Sequence, residues 1–165
     1  MDSQLNTLSR DVGDWLGARN AKLACAESCT GGWVAEVVTA TAGSSAWFDC
    51  GFVTYSNEAK KDLLGVSPAT LERYGAVSEE TVCEMVAGTL ARSRADLALA
   101  ISGVAGPGGG SAAKPVGMVC FAWGERKGGI RSETRHFAGD REAVRRQAVI
   151  HALRELMTND FSAAR

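Results

Sequence analysis

Ser28 and Lys60 are the two residues of this chain whose types suit a shared proton transfer. Ser28 lies in the run Ala26-Glu27-Ser28-Cys29-Thr30-Gly31-Gly32 and offers a hydroxyl nucleophile. Lys60 closes the run Val53-Thr54-Tyr55-Ser56-Asn57-Glu58-Ala59-Lys60 and offers an amine base. An amine serves as a base only when uncharged, so burial or a nearby cation must lower its pKa. Only two histidines are present, His136 and His151, which leaves a Ser-His-Asp triad few sources for its base. Cys29 is a second candidate nucleophile, since a helix start favours a thiolate. Each residue also has an ordinary reading. Ser28 or Thr30 can cap a helix, Lys60 can be a solvated helix lysine like its neighbour Lys61, and Cys29 can be a small buried side chain.

The elements around these residues decide which groups can meet. Lys22 to Ala26 is a short apolar run that predicts a buried strand, and Trp33, Val34, Val37 and Val38 recur at helical spacing. Ser28 therefore stands where a strand hands over to a helix. Gly31 and Gly32 let a ligand approach the backbone closely there, and nearby N–H groups could hold an oxyanion. Cys50 to Tyr55 predicts a second strand, and Ser56 or Asn57 a cap for a helix over 58–64 that stops at Gly65. Ser67-Pro68 starts another helix, and Ser78 caps a third with Glu79 and Glu80 in its first turn.

Asp96 to Ser102 predicts a strand covered on both faces. Residues 116–123 and 130–137 predict a hairpin. The first helix spans about 3–18, and Asp140 caps the last, beyond which the tail after Thr158 is expected to fray. Strands alternating with helices, followed by a hairpin, predict an α/β fold: a three-layer α/β/α domain with a mixed sheet, spanning residues 1–165 as one unit.

Three loops leave the carboxyl ends of predicted strands, where ligands of open α/β sheets sit. They are 27–32, 55–60 and 102–111. The last contains Gly106, Gly108 and further glycines, but lacks the third glycine of a dinucleotide fingerprint and the Gly-Lys-Ser/Thr of a phosphate-binding P-loop. Arg141, Arg145 and Arg146 fall in the first two turns of the last helix, where positive charge opposes the helix dipole. That placement is cheap if the arginines are solvated and useful if they hold a phosphate.

Composition bounds the partners. The chain has 165 residues, 45% hydrophobic and 22% charged, the mix of a globular domain. A net charge of −1 supplies no global field for nucleic acid or an anionic membrane. No apolar run approaches a membrane span, and Met1-Asp2-Ser3-Gln4 does not begin a signal peptide, so a cytoplasmic location is expected. Five cysteines without a Cys-x-x-Cys pair predict free thiols and no zinc site. A homo-oligomer, dimer or higher, is the expected assembly.

The two motifs above, with Gly75-Ala76-Val77-Ser78-Glu79-Glu80, Gly103-Val104-Ala105-Gly106-Pro107 and Lys114-Pro115-Val116-Gly117, resemble the successive motifs of the CinA carboxy-terminal-domain family over about residues 5–155. The resemblance implies an amidohydrolase that uses no metal or other cofactor. It would convert nicotinamide mononucleotide (NMN) and water to nicotinate mononucleotide and ammonia, in pyridine-nucleotide salvage. It places the catalytic serine at Ser28, the lysine base at Lys60 and an assisting polar group at Tyr55. Substrate contacts would come from Thr30, Gly31, Gly32, Ser102, Gly106 and Gly108, with Arg145 the arginine for the nucleotide. Ser102 and Val104 stand where family members often carry threonine and isoleucine, so the hydroxyl survives. The alternative to an enzyme is a module that binds a pyridine nucleotide without turning it over.

Overall fold

The computed structural model describes residues 1–158; the expected fraying after Thr158 lies outside them. Five strands form one sheet: β1 (Leu23–Glu27), β2 (Phe48–Val53), β3 (Leu97–Gly103), β4 (Met118–Glu125) and β5 (Ile130–His136), in the order β2-β1-β3-β4-β5. β1 pairs in parallel with β2 and β3, while β4 and β5 run antiparallel, as the predicted hairpin requires. Six helices cover the sheet: α1 (Ser3–Ala18), α2 (Trp33–Thr39), α3 (Asn57–Leu64), α4 (Pro68–Tyr74), α5 (Glu79–Ala91) and α6 (Arg141–Thr158). The predicted α/β class with a mixed sheet is observed.

Alternation along the strands sorts the core into two layers. Leu97, Leu99 and Ile101 of β3 point to the face packed by α1, α2 and α6, together with Val119, Phe121 and Trp123 of β4. Ala98 and Ala100 point to the face where α5 and the end of α3 pack, together with Cys120 and Ala122. Small residues on that second face let α5 lie close. Leu99 is fully buried between the layers, and its truncation to Ala would cost about 2–5 kcal/mol.

Local chemistry sets the helix ends. Asp2, Ser56, Ser78 and Asp140 accept from the N–H groups of Leu5, Ala59, Thr81 and Ala143, at 3.0, 3.0, 3.2 and 2.9 Å. Ser56 rather than Asn57 is therefore the cap of α3. Gly65 ends that helix in the left-handed region at φ 68°. β2 stops at Val53, two residues before the predicted end. Its partner β1 ends at Glu27, whose carbonyl takes the Thr54 N–H at 2.8 Å, and no strand continues beside Tyr55.

The chain leaves β1 for β2 on one side and returns to β3 on the other. The crevice between the carboxyl ends of β1 and β3 is thus a topological switch point, the usual ligand position in such sheets. Ser28 and Ser102 stand at its two walls, joined by the Ser28 N–H donating to the Ile101 carbonyl at 3.0 Å.

Candidate active site

Lys60 projects from α3 into the protein and is only 1% exposed. Its Nζ donates to Ser28 Oγ at 2.9 Å and to the Thr54 carbonyl at 2.7 Å. Among the described residues no carboxylate pairs with it. Burial alone lowers its pKa from 10.5 to about 8, because desolvation disfavours the cation. The solvated-lysine reading fails here: an amine held dry and unpaired beside a hydroxyl is the arrangement a general base needs.

The same dryness works against Cys29. Burial pushes its thiol up to about 11, and the Arg145 charge offsets only part of this. The residue stays protonated near neutrality, which disfavours it as a nucleophile.

Neither Ser28 nor Thr30 caps the helix that follows. The N-cap position of α2 is Gly32, at φ 100°, and carries no side-chain cap. The capping group comes from earlier in the chain. Glu27, 1% exposed, points its carboxylate at the start of α2 and accepts from the Val34 N–H at 2.9 Å and the Ala35 N–H at 3.1 Å. This anion satisfies two helix-start donors and opposes the helix dipole. Residues 28–32 are thereby pinned as a loop between the end of β1 and the first turn of α2.

Within that loop the Gly31 N–H is already used, donating to the Ser28 carbonyl at 3.0 Å. The N–H groups of Thr30 and Gly32 have no partner among the described residues and remain available to an oxyanion. Gly31 sits at φ 61°, which favours glycine. Arg145 of α6 grips the loop from outside: its Nε donates to the Cys29 carbonyl at 2.9 Å and one Nη to the Thr30 carbonyl at 3.2 Å. Its guanidinium also lies over the Trp33 ring, 5.4 Å from the centroid.

Three buried hydroxyls, those of Thr30, Thr54 and Ser102, lack partners among the described residues. All belong to segments that touch the Ser28–Lys60 pair. Unpaired buried hydroxyls are costly in a resting protein and useful to a polar ligand that meets them.

The remaining predicted residues lie on the rim. Tyr55 is 62% exposed, and its hydroxyl accepts from Arg141 at 3.0 Å rather than meeting Lys60. Arg141 also donates to the Gly106 carbonyl at 2.9 Å, so it ties the 53–56 turn to the glycine loop. Gly106 adopts φ 83°, where a Cβ would strike Val116. Gly108 is exposed and open around its Cα, so nothing there requires glycine.

A hollow of about 510 Å³ adjoins the glycine loop, lined by Ala105, Pro107, Val116, Asp140, Arg141 and Glu142; two others bear on where a phosphate could sit. One, of about 480 Å³, is lined by Gly31, Gly32, Trp33, Arg141 and Arg145, and also by Glu36 and Glu142. The other, of about 720 Å³, opens by α5 and is lined by Glu79, Glu80, Lys114, Cys120 and Thr134. Glu79 there accepts from Ser132 and Thr134. Acidic residues line both hollows, so their presence does not choose between them; only the smaller one offers guanidinium groups, which can grip a phosphate through paired hydrogen bonds. Among the described residues no group of three His, Cys, Asp or Glu side chains gathers as a metal site. No described helix is long and apolar enough to cross a membrane.

The model of the CinA C-terminal domain matches residues 5–159. The chain belongs to that family. It is 57% identical over 155 residues to the nicotinamide-nucleotide amidohydrolase PncC of Escherichia coli (strain K12), covering 94% of each chain. It is 54% identical over 153 residues to a Pseudomonas putida protein of the same name, covering 93% of this chain and 95% of that one. Among solved structures, the competence/damage inducible protein CihA from Agrobacterium tumefaciens superposes with a TM-score of 0.90 at 44% identity, over 96% of both chains.

In this CinA domain, then, the residues the motifs single out separate into three sets. Ser28, Lys60, Thr30 and Ser102 gather at the crevice, whereas Tyr55, Gly106 and Gly108 form its edge and Gly31, Gly32 and Arg145 line the smaller hollow beside it. Glu27 has no role in the sequence reading, although one signal marks it: a carboxylate at the end of an otherwise apolar, fully buried strand.

Proposed function

We propose that this chain hydrolyses the carboxamide of NMN through a Ser28–Lys60 dyad. The 2.9 Å approach of a desolvated amine to the serine hydroxyl carries the mechanism. The extended similarity to nicotinamide-nucleotide amidohydrolases supports the substrate.

Neutral Lys60 accepts the Ser28 proton as the hydroxyl oxygen attacks the carboxamide carbon. The carbonyl π pair moves to oxygen, and the N–H groups of Thr30 and Gly32 stabilise that oxyanion. Removal of one such donor from an acyl-transfer site costs about 100–1,000-fold in rate. The intermediate collapses by breaking the C–N bond, and the Lys60 ammonium gives its proton to departing ammonia. A water molecule then attacks the acyl-serine ester while Lys60 takes its proton, and collapse returns that proton to Ser28. The net change is amide plus water to acid plus ammonia.

The Thr54 carbonyl holds Lys60 in line throughout, accepting from Nζ in either protonation state. The hollow lined by Arg141 and Arg145, with Glu36 and Glu142 beside them, offers guanidinium donors for the 5′-phosphate.

The test is ammonia release from NMN by purified protein, with Ser28→Ala alongside. Turnover by the native chain and none by a folded Ser28→Ala is expected. Full activity in that variant would end the dyad reading. Tight NMN binding without any turnover by the native chain would favour the non-catalytic module.

A further inference from the structure

Two arginines of α6 border the same hollow, with Glu36 and Glu142 also in its lining, and their hydrogen bonds divide the labour between them. Arg145 spends Nε and one Nη on the carbonyls of Cys29 and Thr30 and stacks on Trp33. Arg141 is exposed and binds the Tyr55 hydroxyl and the Gly106 carbonyl, both on the rim.

Peptide planarity gives the Arg145 contacts a consequence. In a trans peptide the C=O and N–H point in opposite directions. The Cys29 carbonyl is drawn toward α6, so the Thr30 N–H of that peptide must point away from α6, to the face where α3 carries Lys60. The next peptide obeys the same rule: the Thr30 carbonyl faces Arg145, and the Gly31 N–H turns back to the Ser28 carbonyl.

We infer that Arg145 is a positioning residue that aims the Thr30 N–H at the developing oxyanion, and that Arg141 is the arginine that meets the substrate phosphate. The inference rests on the dyad reading above. It replaces the expectation that Arg145 binds the nucleotide. A lysine at 145 keeps the charge but loses the fork that grips two adjacent carbonyls at once.

The test compares NMN with nicotinamide riboside, which lacks the phosphate. An interaction made only in the transition state lowers kcat, while a uniform binding contact raises KM. Arg145→Lys and Arg145→Ala are expected to lower kcat on NMN by about 10- to 100-fold with KM little changed, since small misplacements cost on that order. The preference for NMN over the riboside should survive both substitutions. Arg141→Ala should raise KM for NMN and collapse that preference. A folded Arg145→Lys with native kcat would overturn the inference, as would loss of the NMN preference in either Arg145 variant.

A measurement on the native protein covers the case in which the variants fail to fold. Inorganic phosphate is titrated while the arginine Nε–H signals are followed by NMR. The Arg141 signal should move and the Arg145 signal should not; the reverse would overturn the assignment. Ser28→Ala, assayed in parallel, separates the two ideas. If it is inactive while the Arg145 results fail, only the arginine assignment falls. If it is fully active, the dyad and this inference fall together.

Discussion

Gly88 of α5 packs against the carbonyl of Leu64 at the end of α3, leaving no room for a side chain between them. This contact sets how close the two helices lie, and α3 is the element that carries Lys60. Gly88→Ala should therefore do two things at once. It should destabilise the fold by about 1–3 kcal/mol through overpacking, and it should lower turnover in the protein that still folds. Denaturant titration and an NMN assay on the same sample would check both. A stable variant with full activity would show that α3 can yield without moving the amine.

The pH profile follows from the buried base. The Lys60 pKa is lowered to about 8 by desolvation, and only the neutral amine can accept the Ser28 proton. Activity measured as kcat/KM should rise with pH and level off above about 8. A profile flat from pH 6 to 9 would show that this amine does not act as the base.

Stability should carry the same signature. The folded amine loses its proton near 8, whereas the unfolded one keeps it to about 10.5, so the unfolded state binds more protons between those values. Folding stability from this group must then rise with pH across that window, by on the order of 3 kcal/mol in total. Lys60→Met removes the titration, so the native-minus-variant difference in unfolding free energy should climb between pH 8 and 10.5. A constant difference would contradict the desolvated lysine.

Glu27→Ala strips the cap from α2 and leaves the buried Val34 N–H and the partly buried Ala35 N–H without an acceptor. A loss of about 1–3 kcal/mol is expected from such unpaired groups, read by chemical denaturation. Glu27→Gln keeps an oxygen for one N–H and should lose less. Equal stability in all three proteins would mean that the carboxylate is dispensable as a cap.

Tyr55→Phe removes a hydroxyl whose partner is Arg141 on the exposed rim, not Lys60. The substitution should leave kcat within about threefold of native and change KM more. A fall in kcat of a hundredfold or more would mean that the tyrosine moves inward when substrate binds.

Patterns with a short range were readable before any coordinates. The apolar runs read at 22–26 and 96–102 overlap strands Leu23–Glu27 and Leu97–Gly103, Ser56 is the cap of the two residues offered for α3, and Ser78, Asp140 and the hairpin after residue 116 fall where the sequence places them. The strand-to-helix turn at Ser28 was readable for the same reason. Burial of Lys60 was not, because a lysine beside a solvated lysine looks alike on paper. Only the packing of α3 on α5 separates the two. Glu27 escaped because its partners lie seven and eight residues on, beyond the spacing of an ordinary cap. The arginines of α6 were visible as misplaced charge, but which one faces backbone and which faces solvent depends on how the helix is rotated against α1, α2 and β3.

The anhydrous setting of Lys60 has a further outcome under heat. The amine sheds its proton easily enough for catalysis only while water is kept from it, and α3, its carrier, is just eight residues long. A brief detachment of that short helix would rehydrate the nitrogen and restore its ordinary affinity for a proton. On warming, the catalyst should fall silent before the sheet beneath it melts.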